Sequence, residues 1–556
     1  MSGILSMIAG GTYSSAPVNT VAPVVSGTAT RGQTLSSTTG TWTGKPDPTF
    51  AYQWQRAGSN ISGATSSTYV LVSDDVGNAI RCVVTATNVV AAVSANSNAT
   101  AAVAGVVPGA PTIGSATATG ATTATVSFTA PADNGGLTIT SYTATSSPGG
   151  VTGTLSQAGS GTITVSGLTS ETAYTFTVTA TNSAGTSAAS AASNSVTPIV
   201  SGALWSWGRN VHGQLGNNTS TYFGFNTGTS SPVQVGSDTN WKSAKAGRYS
   251  GFAVRTTGTL WSWGQNNGGK LGLNIPVGDR RSSPTQVGSD TNWLRVTGFY
   301  SGLAHKTNGT LWSLGGYSGS GQLGTGSFSA QSSPVQIGSD TDWATSDGGF
   351  YQMGAIKTGG TLYTWGQGSF GGQGRGGGGA DTSATPLQVG ALTNWRNVAV
   401  GTYWMAAVKT DGTLWAWGRN NKGQLGSASY SVHRSSPIQI GSDSDWLKVA
   451  AGYNSHLSIK TNGTLWLIGE YSPTPKQIGA LTNWTHAEPT KNGTPRWNIG
   501  RTSSGNLYGW GDNTYGQLGL NNATYVGQSS PTVVGSDTNW TNLTTPGAQH
   551  VLAIRT

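Results

Sequence analysis

The chain has 556 residues, a net charge of +9, and only 8% charged side chains, with 84 Gly, 21 Trp and a single cysteine. That length exceeds one core, charge this sparse excludes coiled coils, and so many tryptophans exclude a disordered chain. Glycine without a three-residue period excludes collagen, Cys82 alone excludes an internal disulfide, and short strands joined by Gly, Thr, Ser and Asn turns remain: an all-β protein.

Residues 1–16 open the chain. Ile4, Leu5, Met7 and Ile8 form an apolar run shorter than the roughly 7–15 residues of a secretion signal and the roughly 20 of a membrane span. The reading is a docking peptide without signal or membrane insertion. Residues 17–104 follow, with Trp42, Tyr52-Gln-Trp54-Gln and Asp75-Val-Gly-Asn-Ala-Ile-Arg-Cys82. This segment resembles a bacterial or phage-type immunoglobulin-like domain. The resemblance implies a β-sandwich with Trp54 as the core tryptophan and Cys82 at the second cysteine position, its partner missing. Residues 105–199 carry Val126-Ser-Phe, Ser141-Tyr-Thr-Ala and Leu168-Thr-Ser-Glu-Thr-Ala-Tyr174-Thr-Phe. They resemble a fibronectin type III domain, which implies a second sandwich with Tyr174 as the tyrosine corner. Short linkers at 104–108 and 197–202 predict a semi-rigid rod.

Residues 200–556 repeat. Leu-Trp-Ser-Trp-Gly or a near copy begins at Leu204, Leu260, Leu311, Leu362, Leu414, Leu465 and Leu507. A second marker, usually Asp-Thr-Asn-Trp, places Trp241, Trp293, Trp343, Trp395, Trp446, Trp484 and Trp540 in the same phase. Each unit reads as four strands, in the first full copy 231–236, 242–247, 251–256 and 259–264. Trp261 and Trp263 share one strand face, and Thr257-Gly258 makes a tight turn. Four strands in about 50 residues make a propeller blade. The region begins with the Leu204 strand and finishes with His550-Val-Leu-Ala-Ile-Arg-Thr, so one blade is built from both ends and the ring of seven closes by strand pairing.

Trp207-Gly-Arg-Asn-Val-His-Gly-Gln-Leu-Gly216, Trp417-Gly-Arg-Asn-Asn-Lys-Gly-Gln-Leu-Gly426 and Trp510-Gly-Asp-Asn-Thr-Tyr-Gly-Gln-Leu-Gly519 resemble the signature of the regulator of chromosome condensation repeat family. The unit at Leu465 lacks the Gly-Gln-Leu-Gly turn, and the unit at Leu362 replaces it with a Gly-rich stretch. The guanine-exchange activity of the family's nuclear founder is not carried over, because fold does not imply function.

No cluster of catalytic type is visible. The six histidines, His212, His305, His433, His456, His486 and His550, lack metal-ligand spacing and read as surface or structural. Asp238, Asp290, Asp340, Asp443 and Asp537 recur at one blade position and read as turn caps. Gly-rich 374–379 reads as a flexible loop. The expectation is therefore no enzyme activity, no catalytic residue, no metal and no cofactor. Residues 200–556 hold 24 basic and 14 acidic residues, against four and five in 1–199. Arg255, Lys306, Lys357, Lys409, Lys460, Arg501 and Arg555 would form a ring at one face, either a cationic site for an anionic partner or solubilising strand ends. Loops 217–230 and 274–281, with Tyr222, Phe223, Phe225, Arg280 and Arg281, are the preferred recognition surface.

The series of modules resembles a bacteriophage virion appendage: a fibre, spike or decoration protein, anchored by its N-terminus among other virion proteins. Its propeller would meet a host cell-surface glycan or protein, as a homo-oligomer without nucleic acid. A bacterial surface or secreted adhesin of the same architecture is the alternative.

Overall fold

Strict alternation of buried and half-buried side chains marks two N-terminal strands, Ile80–Thr87 burying Ile80, Cys82, Val84 and Ala86, and Thr175–Asn182 burying Phe176, Val178, Ala180 and Asn182. The computed structural model describes residues 13–170, 172–219, 228–316, 319–377, 381–427, 430–470, 472–493, 496–522, 526–543 and 547–556. Ile4, Leu5, Met7 and Ile8, and likewise Tyr222, Phe223 and Phe225, lie outside the described residues. The chain divides into two units, Met1–Ile199 and Val200–Thr556.

The first unit contains two sandwiches. In the first, Ser59–Asn60, Thr49–Arg56, Ile80–Thr87 and Ala92–Asn96 form one sheet, and Val25–Ser26, Thr34–Ser37 and Thr68–Val70 another. Strand Ser15–Val21 pairs with Thr41–Lys45, so the sandwich begins two residues before the position 17 expected from sequence. Trp54 is fully buried beside Cys82, its register partner, and stacks on Tyr69 at 5.7 Å. Leu35 of the facing sheet shares their core. In the second sandwich, Thr112–Ala118, Thr123–Thr129 and Gly161–Ser166 face Thr152–Leu155, Ser141–Ser147, Thr175–Asn182 and Gly185–Thr186. The Thr169 backbone N–H donates to the Tyr174 hydroxyl at 3.0 Å, the tyrosine-corner bond.

The second unit is a ring of seven four-stranded antiparallel sheets. Blade 1 runs Trp241–Ala246, Ser250–Arg255, Leu260–Gln265, Arg280–Gln286 from the axis outward. Blades 2 to 6 repeat this order from Trp293, Trp343, Trp395, Trp446 and Trp484. The seventh, closing blade joins Trp540–Leu543 and His550–Arg555 to Ala203–Arg209 and Gly228–Gln234. The sequence grouping was therefore out of phase by one strand. The Ser-Ser-Pro strand at 228–234 is the outer edge of the closing blade and not the first strand of blade 1. Its half-exposed residues give no apolar pattern that would have assigned it.

Tryptophan holds the ring together. The inner-strand tryptophans are at most 5% exposed. Burying 150–250 Å² each is worth roughly 4–6 kcal/mol of transfer free energy at ~25 cal/mol per Å². In four blades the second tryptophan of the marker reaches the preceding blade: Trp263 Nε1 donates to the Gln214 carbonyl at 2.9 Å, Trp207 to that of Gln517 at 3.0 Å, and Trp365 and Trp417 bond likewise. Gly216 lies beneath this contact with φ +71°, and a Cβ there would sit 2.8 Å from Trp263 Nε1. That is why the Gly-Gln-Leu-Gly turn ends in glycine. Gly374 plays the same part under Trp417, with φ +73° and a Cβ 2.6 Å from Nε1, and Arg375 is paired with Asp381 at 2.6 Å. The described part of the Gly-rich stretch is thus a packed turn rather than the flexible loop expected.

Candidate functional site

In an antiparallel blade, the links between strands one and two, and three and four, leave at one end. The remaining links leave at the other. Six of the seven basic residues of the expected ring end the second strand, Arg501 lies one residue before the end of its own, and Arg280 and Arg281 open the fourth. The ring and the variable loops therefore occupy opposite faces.

The basic positions have local work. Arg255, Lys306, Lys357, Lys409, Lys460 and Arg555 pair in register with the inner-strand tryptophan of their own blade. Each charge lies between two aromatic rings, 3.7–5.5 Å from their centroids. Five also meet the recurring aspartates: Lys306 Nζ lies 2.7 Å from Asp290, Lys357 3.0 Å from Asp340 and Lys460 2.8 Å from Asp443. Arg255 pairs with Asp238 and Arg555 with Asp537. The aspartates are counter-ions, not the turn caps read from sequence. Arg501 is not in the ring at all: Trp484 faces Thr502, one residue later, so alternation sends Arg501 to donate to the Trp540 carbonyl at 3.0 Å. A cation held between rings and neutralised by a carboxylate is a blade staple, not an open anion site.

Blade 4 tests this. Leu392, 46% exposed, stands where five blades have aspartate, and burial lowers the pKa of Lys409. Leu392→Asp is expected to stabilise the protein by about 0.5–1 kcal/mol and shift the urea midpoint upward. An unchanged or lower midpoint would remove the counter-ion role.

The opposite face carries a feature the sequence reading passed over. Tyr249, Tyr300, Tyr351 and Tyr403 precede the second strand in blades 1 to 4, a Gly-x-Tyr pattern in phase with the tryptophans. Around them an arc of rings runs across the face. His212 meets Tyr249 at 4.9 Å, Tyr300 stacks on Phe350 at 5.7 Å, and Tyr351 on Tyr403 at 5.2 Å. Phe370 then bridges Tyr403 at 5.5 Å and His433 at 4.9 Å. Tyr403 and Phe370 hold φ of +65° and +61°, a backbone region costly for aromatic residues. Arg248 covers the blade 1–3 end, its guanidinium 5.0, 5.7 and 5.2 Å from Tyr249, Tyr300 and Phe350. Lys270 lies beneath, 3% exposed. Burial, then the charges of Arg280, Lys270 and Arg209, bring His212 down to about 4. Positive potential is therefore concentrated at this end of the arc, next to Arg280 and Arg281.

On the axis, Asp347 of blade 3 accepts from Lys491, which follows the inner strand of blade 6, at 2.6 Å, and from the Val400 N–H of blade 4 at 2.8 Å. Lys245 of blade 1 stands 3.8 Å away. Burial pushes the Asp347 carboxyl up, but the two lysines outweigh it and hold it below the usual range. Four blades meet at one carboxylate. Among the described residues, no group of three His, Cys, Asp or Glu is placed to hold a metal, and no helix is long and apolar enough to cross a membrane.

Comparison with known proteins agrees with this geometry. The Regulator of chromosome condensation (RCC1) repeat matches residues 201–254, 257–305, 411–459 and 504–554, and a second description of that repeat matches 395–424. A fibronectin type III domain matches 109–196. Similar chains include the Arabidopsis thaliana "RCC1 domain-containing protein RUG3, mitochondrial", 26% identical over 52% of this chain and 70% of that one. The "Ultraviolet-B receptor UVR8" of the same plant is 30% identical over 50% of this chain and 63% of that one. Human "E3 ubiquitin-protein ligase HERC2" is 27% identical over 64% of this chain but only 8% of its own length. Among solved structures, human WBSCR16 aligns with TM-score 0.56 at 19% identity, covering 64% of this chain and 98% of that one. Yeast RCC1 (Prp20), bound to Kap60, aligns with TM-score 0.55 at 17% identity, covering 64% and 90%. Residues 200–556 thus have the RCC1 propeller fold.

Proposed function

We propose that this RCC1-type propeller is a binding module, acting without catalysis, whose recognition surface is the aromatic arc flanked by Arg248, Arg280 and Arg281. The observation that carries this reading is the arc itself. Four tyrosines at one repeat position, two strained aromatic backbones and a cation stacked on three rings give an amphipathic platform of the kind that binds sugar rings or polar peptide surfaces. The repeat-bearing relatives support a binding or regulatory role for such a propeller. Two sandwiches ahead of a propeller further suggest a bacteriophage structural protein, a fibre, spike or decoration. In this reading residues 1–16 anchor it in the particle, and the arc meets a host-surface glycan or protein.

The test is competition. Soluble full-length protein is expected to bind host cells and block particle adsorption. Tyr300→Ala/Tyr351→Ala/Tyr403→Ala should lose at least tenfold in both, while Lys357→Gln on the opposite face should lose nothing. Deleting residues 1–12 should leave cell binding intact and abolish incorporation into particles. Full cell binding by the triple variant would refute the arc, and normal incorporation of the deletion would refute the anchor.

A further inference from the structure

Lys270 breaks the repeat. Its position in the turn after the third strand is held by Gln214, Gln322, Gln424 and Gln517 in four other blades. Those glutamines brace their own turns: the side-chain oxygen accepts the backbone N–H two residues earlier, from His212 at 2.8 Å, Ser320 at 3.1 Å, Lys422 at 2.8 Å and Tyr515 at 2.7 Å. Lysine has no acceptor and cannot make this bond. Yet Lys270 is as deeply placed as they are, at 3% exposure.

Its ammonium has no counter-ion among the described residues. The ring of Tyr249 lies 5.8 Å away. The other charged or titratable groups facing it are Arg248 from the same blade, His212 and His550 from the closing blade, and Arg280 beyond His212. None is a carboxylate. Two hydroxyls at this end of the arc have nothing to bond: the Ser250 and Ser301 Oγ atoms, leading into the second strands of blades 1 and 2, are buried without partners among the described residues, as is Arg248 Nε. Gly316 adjoins both Ser301 and Lys270, with φ +120°. A Cβ there would fall 2.7 Å from Ser301 Oγ and 3.7 Å from the Lys270 Cβ, so position 316 itself leaves this space to Ser301 and Lys270. A buried cation lacking an anion, beside idle donors, is costly unless something arrives to complete it.

We propose that Lys270, with the Arg248 guanidinium and the Ser250 and Ser301 hydroxyls, forms an oxyanion recess at the blade 1 end of the arc, which takes the carboxylate or phosphate of a partner's acidic sugar. The inference rests on the arc as the recognition face and gives that face its chemical preference. Ammonium and guanidinium supply charge-assisted hydrogen bonds, and Tyr249 and Tyr300 flank the neutral part of the sugar.

Protonation supplies an independent signature. Burial, then the Arg248 charge, lowers Lys270 to about 7, while burial holds His212 at about 4 and His550 at about 3. Between pH 6 and 8 the lysine is thus the titrating group of the recess. A carboxylate, ionised throughout this range, binds the charged form, so glucuronate affinity rises as pH falls from 8 to 6, and its binding at pH 7.5 takes up a proton.

The experiment is titration calorimetry on the intact protein with inorganic phosphate, glucuronate and neutral glucose, in buffers of differing ionisation enthalpy. Lys270→Gln installs the residue of the sister blades and is expected to fold with an equal or higher Tm, since it removes an uncompensated buried cation. The wild type should bind phosphate or glucuronate at least tenfold better than glucose, with proton uptake on binding glucuronate, and the variant should lose both. Phosphate alone binding would point to phosphorylated sugars, and glucuronate alone to uronic acids. Equal binding by the variant, or no oxyanion binding by the wild type, overturns the recess. If the recess fails while the tyrosine triple variant still loses cell binding, the arc stands without it. If the recess binds anions but the triple variant binds cells normally, the reading of the face has failed instead.

Discussion

Lowering the pH from 7 to 4 is expected to unfold the propeller while the N-terminal unit remains folded. His305, His456 and His550 are buried and His486 is half-buried, and desolvation holds each imidazole down to about 3. In the unfolded chain each titrates near ~6.5. Folded values lie below unfolded ones, so the stability from keeping these rings neutral is complete above about pH 6.5. It is lost as pH falls toward the folded values. Within that window the unfolded chain binds up to four more protons, each worth about 1.4 kcal/mol per pH unit, together a slope near 5 kcal/mol per unit. A domain of ordinary stability, about 5–15 kcal/mol, does not survive two such units. Residues 1–199 contain no histidine. Among their described carboxylates, the one with a lowered pKa, Asp133, owes it to the Gly135 N–H and Arg31 and is largely exposed. Tryptophan fluorescence isolates the effect, because only Trp42 and Trp54 of the 21 lie in the N-terminal unit. A propeller midpoint that does not fall between pH 6.5 and 4.5 would mean that the buried imidazoles are hydrated or charged.

The second large effect lies on the axis. Asp347→Leu should destabilise the propeller by about 3–5 kcal/mol, because Lys491 is left buried and charged without its partner. Lys491 is 1% exposed, and its remaining acceptor is the Gly348 carbonyl at 2.8 Å. Burial lowers the lysine's pKa and Asp347 raises it, burial being the larger effect. The loss in Asp347→Leu should therefore soften at high pH, where the orphaned ammonium can shed its proton. Asp347→Leu/Lys491→Met should recover most of the loss, since a buried pair is close in energy to the apolar groups that replace it. Urea midpoints of the two variants decide the matter. A double variant no more stable than the single one would show that the pair is not what holds the axis.

Strong apolar signals in a strand period, and the core Trp54 and corner Tyr174 of the sandwiches, were legible in the sequence, whereas features set by pairing between strands were not. The seven Leu-Trp strands and the closure of the ring could be read because each repeats an apolar signal with the period of a strand. The outer strand 228–234 was assigned to the wrong sheet because it is half-exposed and its pairing is with residues preceding it. Arg501 was placed in the ring because the one-residue shift against Trp484 is a property of pairing, not of spacing. The tyrosines of the arc were in plain view at 249, 300, 351 and 403, hidden only by the stronger tryptophan signal. Lys270 was visible as a lysine where four units have glutamine, and a search for what repeats discards such a substitution. The bond from Lys491 to Asp347 spans 144 residues and joins blade 6 to blade 3, and no local pattern encodes it.

The pairing of Ala203–Arg209 with His550–Arg555 governs how the propeller is made. Six blades are local hairpin stacks, each built from consecutive strands. The seventh waits for strands from opposite ends of the unit, so its loop-closure entropy is met in one late step. Until that step, Ala203–Arg209 offers an unpaired edge, and the same strand of a second copy fits it equally well. Dilution during folding therefore favours closed single rings, whereas crowding favours chains that lend their last strand to a neighbour. The joint that makes the ring rigid is also the place where two rings can be mistaken for one.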